Sequence, residues 1–126
     1  MKTEKFSFLA RIKSFTYAFN GLRILIKEEH NARVHLFAAA LVILVSFLLK
    51  LNQTEWLFVI LAIGLVLSAE IVNTIAENIC DFISTEKHPK IKNIKDLSAA
   101  YVLISVFTSL VIAALVFIPR LQILVN

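Results

Sequence analysis

The chain has 126 residues, 59% of them apolar, with a mean hydropathy of +0.81 and a formal charge of +4. One core in so short a chain cannot hide that much apolar surface from water, so lipid or partner subunits must cover it. A lone cysteine, Cys80, excludes an internal disulfide and a cysteine-rich metal site, and no linker or repeat divides the chain, so residues 1–126 read as a single membrane domain.

Residues 1–33 keep their charges interspersed and do not read as a secretory signal. They read instead as a cytoplasmic surface segment, with an amphipathic helix over residues 6–29. Phe8, Ile12, Phe15, Phe19, Leu22 and Ile26 recur at three- and four-residue steps, with Lys13, Asn20, Arg23 and Lys27 between them. Phe6 and Phe8, like Phe82 later, read as interfacial anchors. Arg11 and Lys13 are cations that can meet a phosphate at the membrane rim.

Three windows read as membrane crossings. The first is Val34 to Leu49, which Lys50 can extend by snorkelling. The turn "KLNQTE", residues 50–55, is short enough to fold the first two crossings into an antiparallel hairpin. The second crossing spans residues 56–79, and the third runs from Leu97 to Ile118, about 33 Å at roughly 1.5 Å per residue. Pro119 is expected to end it. Eleven of the thirteen Lys and Arg residues fall in residues 1–33 and 84–96. The excess of cations on cytoplasmic loops then predicts a cytoplasmic N-terminus, an external C-terminus and Trp56 at the outer interface. The expected fold is therefore all-α and integral to the membrane, a surface helix followed by three transmembrane helices.

"AEIVNTIAENICDFI", residues 69–83, interrupts this pattern. At 100° per residue, Glu70, Asn73, Glu77 and Asp81 share an arc of about 80° on one helix face. Carboxylates at that spacing repel one another unless a cation sits among them. A solvated helix end explains Glu77 and Asp81, but Glu70 follows fourteen uncharged, mostly apolar residues. An acid at that depth points to function. Glu29 and Arg33 stand one turn apart just before the first crossing, and Lys95 and Asp96 stand just before the third, so all three helix junctions bring charge to one interface.

Carboxylates able to hold Mg²⁺, with lysines beside them and one acid free to take a hydroxyl proton, suit phosphoryl transfer. With only Gly21 and Gly64 in the chain, no glycine-rich phosphate cradle can form, so any nucleotide site must be built from side chains. The remaining polar residues have plainer readings. His35 reads as a helix-packing contact, His30 and Asn31 as local partners at the membrane edge, and His88 as part of a topology-setting loop. Gly64 with Ser68, and Ser98 with Ala99, read as sites of close helix packing, and Cys80 as inert packing. The rival reading, a small proton-coupled transporter with Glu70 titrating in the bundle, leaves Glu29, Lys95 and Asp96 unexplained. A purely structural subunit leaves the whole stripe unexplained, and the basic segments face lipid headgroups rather than nucleic acid.

"SFTYAFNGL", "EHNARVH", "EIVNTIAENICD" and "KDLSAAYVL" together resemble the prokaryotic diacylglycerol kinase family, which includes small membrane diacylglycerol kinases and undecaprenol kinases. The likeness spans residues 11–118 in order and spacing. It implies a homotrimer in the bacterial cytoplasmic membrane, with active sites between subunits at the membrane–cytosol boundary. By this resemblance Glu70 is the general base for the lipid hydroxyl, and Glu29 and Glu77 ligate the Mg²⁺ that carries ATP. Asn73, Asp81, Lys95 and Asp96 line the nucleotide and phosphate site, with Lys13, and Arg11 near it, assisting from the surface helix. The diacylglycerol branch commonly carries serine where this chain has Ala99. Alanine resembles the undecaprenol branch and tilts the expected acceptor toward the polyprenol, while Tyr101 replaces a usually small residue at the head of the third crossing. The product would be undecaprenyl phosphate, a carrier for envelope polysaccharides, or phosphatidate if diacylglycerol is the acceptor.

Overall fold

A computed structural model describes residues 7–126; residues 1–6, including Phe6 at the start of the expected surface helix, lie outside the described residues. Four α-helices follow one another: α1 (Phe8–Glu28), α2 (His30–Leu48), α3 (Gln53–Ile83) and α4 (Pro89–Val125). The last three are long and apolar enough to cross a membrane.

Helix α1 starts where Ser7 Oγ accepts the Ala10 N–H at 3.4 Å. Its six-residue apolar stripe, Phe8 to Ile26, spans an arc of about 80° and is exposed along its whole length. Leu25 is the one buried residue of α1. An amphipathic helix that leaves its apolar face outside the chain is built to lie on a bilayer.

A single extended residue, Glu29 (φ −104°, ψ 111°), separates α1 from α2 and serves both as the cap of the first and the start of the second. Its backbone N–H reaches Leu25 O at 2.9 Å, while its side chain makes no capping hydrogen bond. The carboxylate is thus held at a helix break without being used there.

The hairpin between α2 and α3 is closed by backbone geometry. Lys50 adopts a left-handed φ of 50°, and its N–H bonds to Phe47 O while that of Leu51 bonds to Ser46 O. That pair of bonds is the Schellman arrangement that satisfies the last carbonyls of a helix. Asn52 and Glu55 then form a reciprocal capping box at the start of α3 (2.9 and 2.8 Å), which satisfies two of its free N–H groups.

At 31 residues α3 is about 46 Å long, well beyond a hydrocarbon core of about 30 Å. It therefore carries Glu70, Asn73, Glu77 and Asp81 on one unbroken helix that leaves the apolar slab at its far end. Helix α4 starts with Pro89 in its first turn and His88 Nδ1 accepting the Lys90 N–H at 3.2 Å. His88 is thus a cap.

Pro119 does not end the third crossing as expected: α4 continues through it to Val125. Proline removes one backbone donor and crowds the preceding turn, but membrane helices tolerate it when neighbouring contacts hold the segment. Here Val116 is buried against Leu51 and Val59, Phe117 packs on the same cluster, and Arg120 is tied to Glu55 on α3.

Helices α3 and α4 run antiparallel, cross-linked from end to end by Lys95–Asp81, Ser98–Asn73, Ser109–Ala62 and Arg120–Glu55. The α2/α3 hairpin is antiparallel as well, with Phe47 against Trp56 near the turn (ring centroids 4.7 Å apart) and His35 against Glu70 farther along. Apolar packing concentrates at the turn end, and polar contacts at the end carrying the α1/α2 break and the α3–α4 loop. In lipid, helix register is set by packing and such polar links more than by burial from water. A Cβ at Gly64 would meet nothing within 4 Å, so the close packing expected there is not made inside the chain.

Candidate active site

Glu70 is the centre of the arrangement. Its side chain is 2% exposed, and Oε1 lies 3.0 Å from His35 Nε2 on α2. Oε1 is nonetheless a buried carboxylate oxygen that makes no hydrogen bond among the described residues. Leaving such an atom unsatisfied is costly, and native structures reserve it for sites where something else binds. The carboxylates of Glu29 and Glu77 come close enough for their charge to act on Glu70. Helix α3 supplies Glu77 two turns further along, and the break after α1 supplies Glu29.

A chain of contacts holds Glu77 in place. Asn73 Nδ2 donates to Glu77 Oε1 at 3.3 Å, and Asn73 Oδ1 accepts the Ser98 hydroxyl at 2.8 Å. Asn73 and Ser98 are both buried. Next along, Lys95 Nζ pairs with Asp81 Oδ1 at 2.6 Å, between the end of α3 and the start of α4. Asp81, Lys95 and Asp96 line an open cleft of about 660 Å³ together with Lys92 and the 84–89 loop, within the size range of small-molecule pockets. On the other side of Glu70, His35 heads a narrow apolar groove of about 170 Å³ between α2, α3 and α4 that runs past Val66 and Ile63 to Phe117.

Of the residues singled out in the sequence, Glu29, Glu70, Asn73, Glu77, Asp81 and Lys95 thus fall along one continuous face. Asp96 lines the cleft but pairs with Lys92, one turn back, on an exposed surface. Lys13 is not brought to the stripe: it is exposed on α1, about 24 Å along the helix from Glu29, and forms no ion pair among the described residues. Ala99 is exposed on α4 and turned away from Glu70, beside the buried Ser98.

Two site residues carry little sequence signal. His35 was expected only to pack, and it does so against the key carboxylate itself. Ser98 was expected to be a small packing residue, yet its hydroxyl fixes Asn73. Polar side chains in membrane helices usually face one another, which is the one sequence clue that pointed to both.

Among the described residues no three His, Cys, Asp or Glu side chains converge as a metal cage. A Mg²⁺ site does not need one, because this ion commonly uses one or two carboxylates and completes its shell with water and substrate phosphates. Glu29, whose carboxylate makes no capping hydrogen bond, and Glu77 are hard oxygen donors of the right kind, so the donor chemistry fits.

The chain is similar in sequence to known proteins. Residues 16–117 match the family model described as prokaryotic diacylglycerol kinase. The chain is 36% identical over 109 residues to an undecaprenol kinase of Bacillus subtilis (strain 168), covering 86% of this chain and 89% of the relative. It is 32% identical over 105 residues to a diacylglycerol kinase of Haemophilus influenzae, covering 83% and 86%. A diacylglycerol kinase of Helicobacter pylori (strain 26695) is 33% identical over 93 residues, covering 73% and 72%. With the match running from α1 to the end of the third crossing, the chain belongs to the prokaryotic diacylglycerol kinase family and is a multi-pass membrane lipid kinase, a phosphotransferase with an alcohol as acceptor.

Proposed function

We propose that the chain transfers the γ-phosphate of Mg-ATP to the terminal hydroxyl of undecaprenol, at the cytoplasmic face of the membrane and as a homotrimer. The observation that carries this reading is the buried Glu70 carboxylate, whose Oε1 lies beside His35 without a hydrogen bond among the described residues. An apolar groove starts one turn away at Val66, and a cleft of lysines and carboxylates starts farther along α3 at Asp81. A lipid alcohol approaching along the groove would set its hydroxyl on that oxygen. Glu70 would take the proton as the oxygen attacks phosphorus, a general-base step worth about 10²–10⁴-fold.

The γ-phosphate would enter from the cleft, where Lys95 can lie against phosphate oxygens once it turns from Asp81. Glu29 and Glu77 would hold Mg²⁺, which when bound supplies charge neutralisation on the phosphates. Asn73 and Ser98 keep Glu77 oriented for that task. Undecaprenol is favoured over diacylglycerol by Ala99, and the relative named undecaprenol kinase is similar over nearly its whole length. The two basic segments lie at the same end of the bundle, which supports a cytoplasmic N-terminus. The trimer would cover the apolar faces that a single chain leaves exposed, and Lys13 and Ala99 would act across its subunit boundaries.

The test is phosphate transfer by purified protein in detergent micelles with Mg-ATP, offering undecaprenol and a diacylglycerol separately to wild type, Glu70→Gln and Glu77→Gln. Undecaprenol is expected to be phosphorylated preferentially. Glu70→Gln should lose turnover while still binding Mg-ATP, and Glu77→Gln should weaken Mg-ATP binding. Full activity in both variants would overturn the assignments, and preference for diacylglycerol would overturn the acceptor.

A further inference from the structure

Glu70 cannot act repeatedly as a base unless the proton it takes can leave. The carboxylate is buried, and its one polar neighbour of opposite character is His35, at 3.0 Å. The neighbouring acids of the site, Glu29 and Glu77, are the proposed Mg²⁺ ligands and so are not free to take the proton. The His35 side chain, by contrast, is 24% exposed, so one edge of the ring is buried against the acid and another is open. His35 is in the second turn of α2, near the break between α1 and α2. We propose that His35 is the proton outlet of Glu70, a positioning residue that accepts the abstracted proton and resets the base for each turnover.

This inference rests on the reading of Glu70 as general base. With its ring proton on Nδ1, His35 presents the Nε2 lone pair to Oε1. In the transfer step the lipid O–H bond breaks, the proton passes to the Glu70 carboxylate, the lipid O–P bond forms and the bond from phosphorus to ADP breaks. The proton then moves from Glu70 to Nε2, leaving the carboxylate ionised and His35 as imidazolium. Imidazolium loses a proton to water or buffer at its open edge, restoring the neutral ring. Imidazole suits this task because its ordinary pKa lies close to neutral pH.

The experiment compares wild type, His35→Gln, His35→Ala and Glu70→Gln in micelles, reading kcat and the KM for Mg-ATP with and without added imidazole. His35→Gln keeps a polar side chain against Glu70 but cannot carry the proton. It is expected to lower kcat about 100-fold while leaving the KM for Mg-ATP unchanged. Imidazole in the buffer should restore part of the rate to His35→Ala, which opens a space for it, and none to Glu70→Gln. A His35→Gln kcat within twofold of wild type overturns the proposal, as does a slow His35→Ala that binds Mg-ATP normally and gains nothing from imidazole. A fully active Glu70→Gln would instead overturn the underlying role of Glu70, so the two failures are distinguishable.

Discussion

Ser98 on α4 donates its hydroxyl hydrogen to Asn73 Oδ1 on α3 across 2.8 Å, in a buried position 25 residues away in sequence. Asn73 in turn donates to Glu77, so a small side chain on one helix sets the direction of a carboxylate on another. Ser98→Ala is therefore expected to cost about 0.6–1.7 kcal/mol of stability, the range for interhelical hydrogen bonds in membranes. It should also raise the KM for Mg-ATP several-fold, with little change in the KM for the lipid. Thermal unfolding in detergent and steady-state kinetics check both parts. A variant with the stability loss and an unchanged nucleotide KM would show that Asn73 orients nothing of consequence.

Glu55 serves two structures at once. It accepts the Asn52 N–H in the capping box of α3 and is clamped by two nitrogens of Arg120, at 2.6 and 2.9 Å, at the end of the bundle away from Glu70. Glu55→Ala removes the clamp and the carboxylate half of the capping box, leaving Asn52 Oδ1 on the residue-55 N–H, whereas Arg120→Ala leaves the whole box. Glu55→Ala is expected to lower Tm further than Arg120→Ala, and the double variant should resemble Glu55→Ala alone. Neither should alter the KM for Mg-ATP, because the clamp and the cleft lie at opposite ends of α3. Equal Tm losses from the two single variants would remove the cap from the account.

These two contacts also mark how far the sequence could be read. Hydropathy and charge located the three crossings and put both basic segments at one end, because lipid demands long apolar helices whatever their partners. The stripe from Glu70 to Asp81 was legible for a similar reason, since helical spacing alone aligns it. What stayed hidden depends on register between helices. Nothing local says that Glu55 meets Arg120, 65 residues on, or that His35 meets Glu70 rather than solvent. Pro119 misled because its local effect ends helices in water, whereas here the Arg120 clamp and the buried Val116 hold the last turns together. Gly64 and Ser68 have the spacing of a packing motif, yet a Cβ at Gly64 would meet nothing within 4 Å in this chain.

Lys95 and Lys92 make a discriminating pair. Both lie in the cleft and both have carboxylate partners, but Lys95 bridges α3 and α4 while Lys92 pairs within α4 on an exposed surface. If the cleft takes the phosphates, Lys95→Met should raise the KM for Mg-ATP at least roughly tenfold, as loss of a charge-assisted contact does. Lys92→Met should change it less than about threefold, because an exposed ion pair contributes little. Comparable effects from the two lysines would mean that the cleft attracts nucleotide by general positive charge, with no specific contact from Lys95.

The last prediction concerns Gly64. Leu57, Ile60, Gly64, Ser68 and Ile75 are exposed along one side of α3, within an arc of about 80°. A side chain at Gly64 would meet nothing within 4 Å, so Gly64→Leu does not crowd the single chain. Small residues on a membrane helix let another helix come close, and a leucine there would hold it away. If this face packs against a second copy in the proposed trimer, Gly64→Leu should leave the helix content unchanged and shift the protein in detergent from trimer toward monomer. Activity should fall in step, because Lys13 stands too far from the stripe of its own chain and would serve that of a neighbour. Light scattering of wild type and variant, measured alongside the kinase rate, separates the cases. A Gly64→Leu variant that keeps both its assembly and its rate would turn this face of α3 toward lipid and move the subunit boundary to α2 or α4.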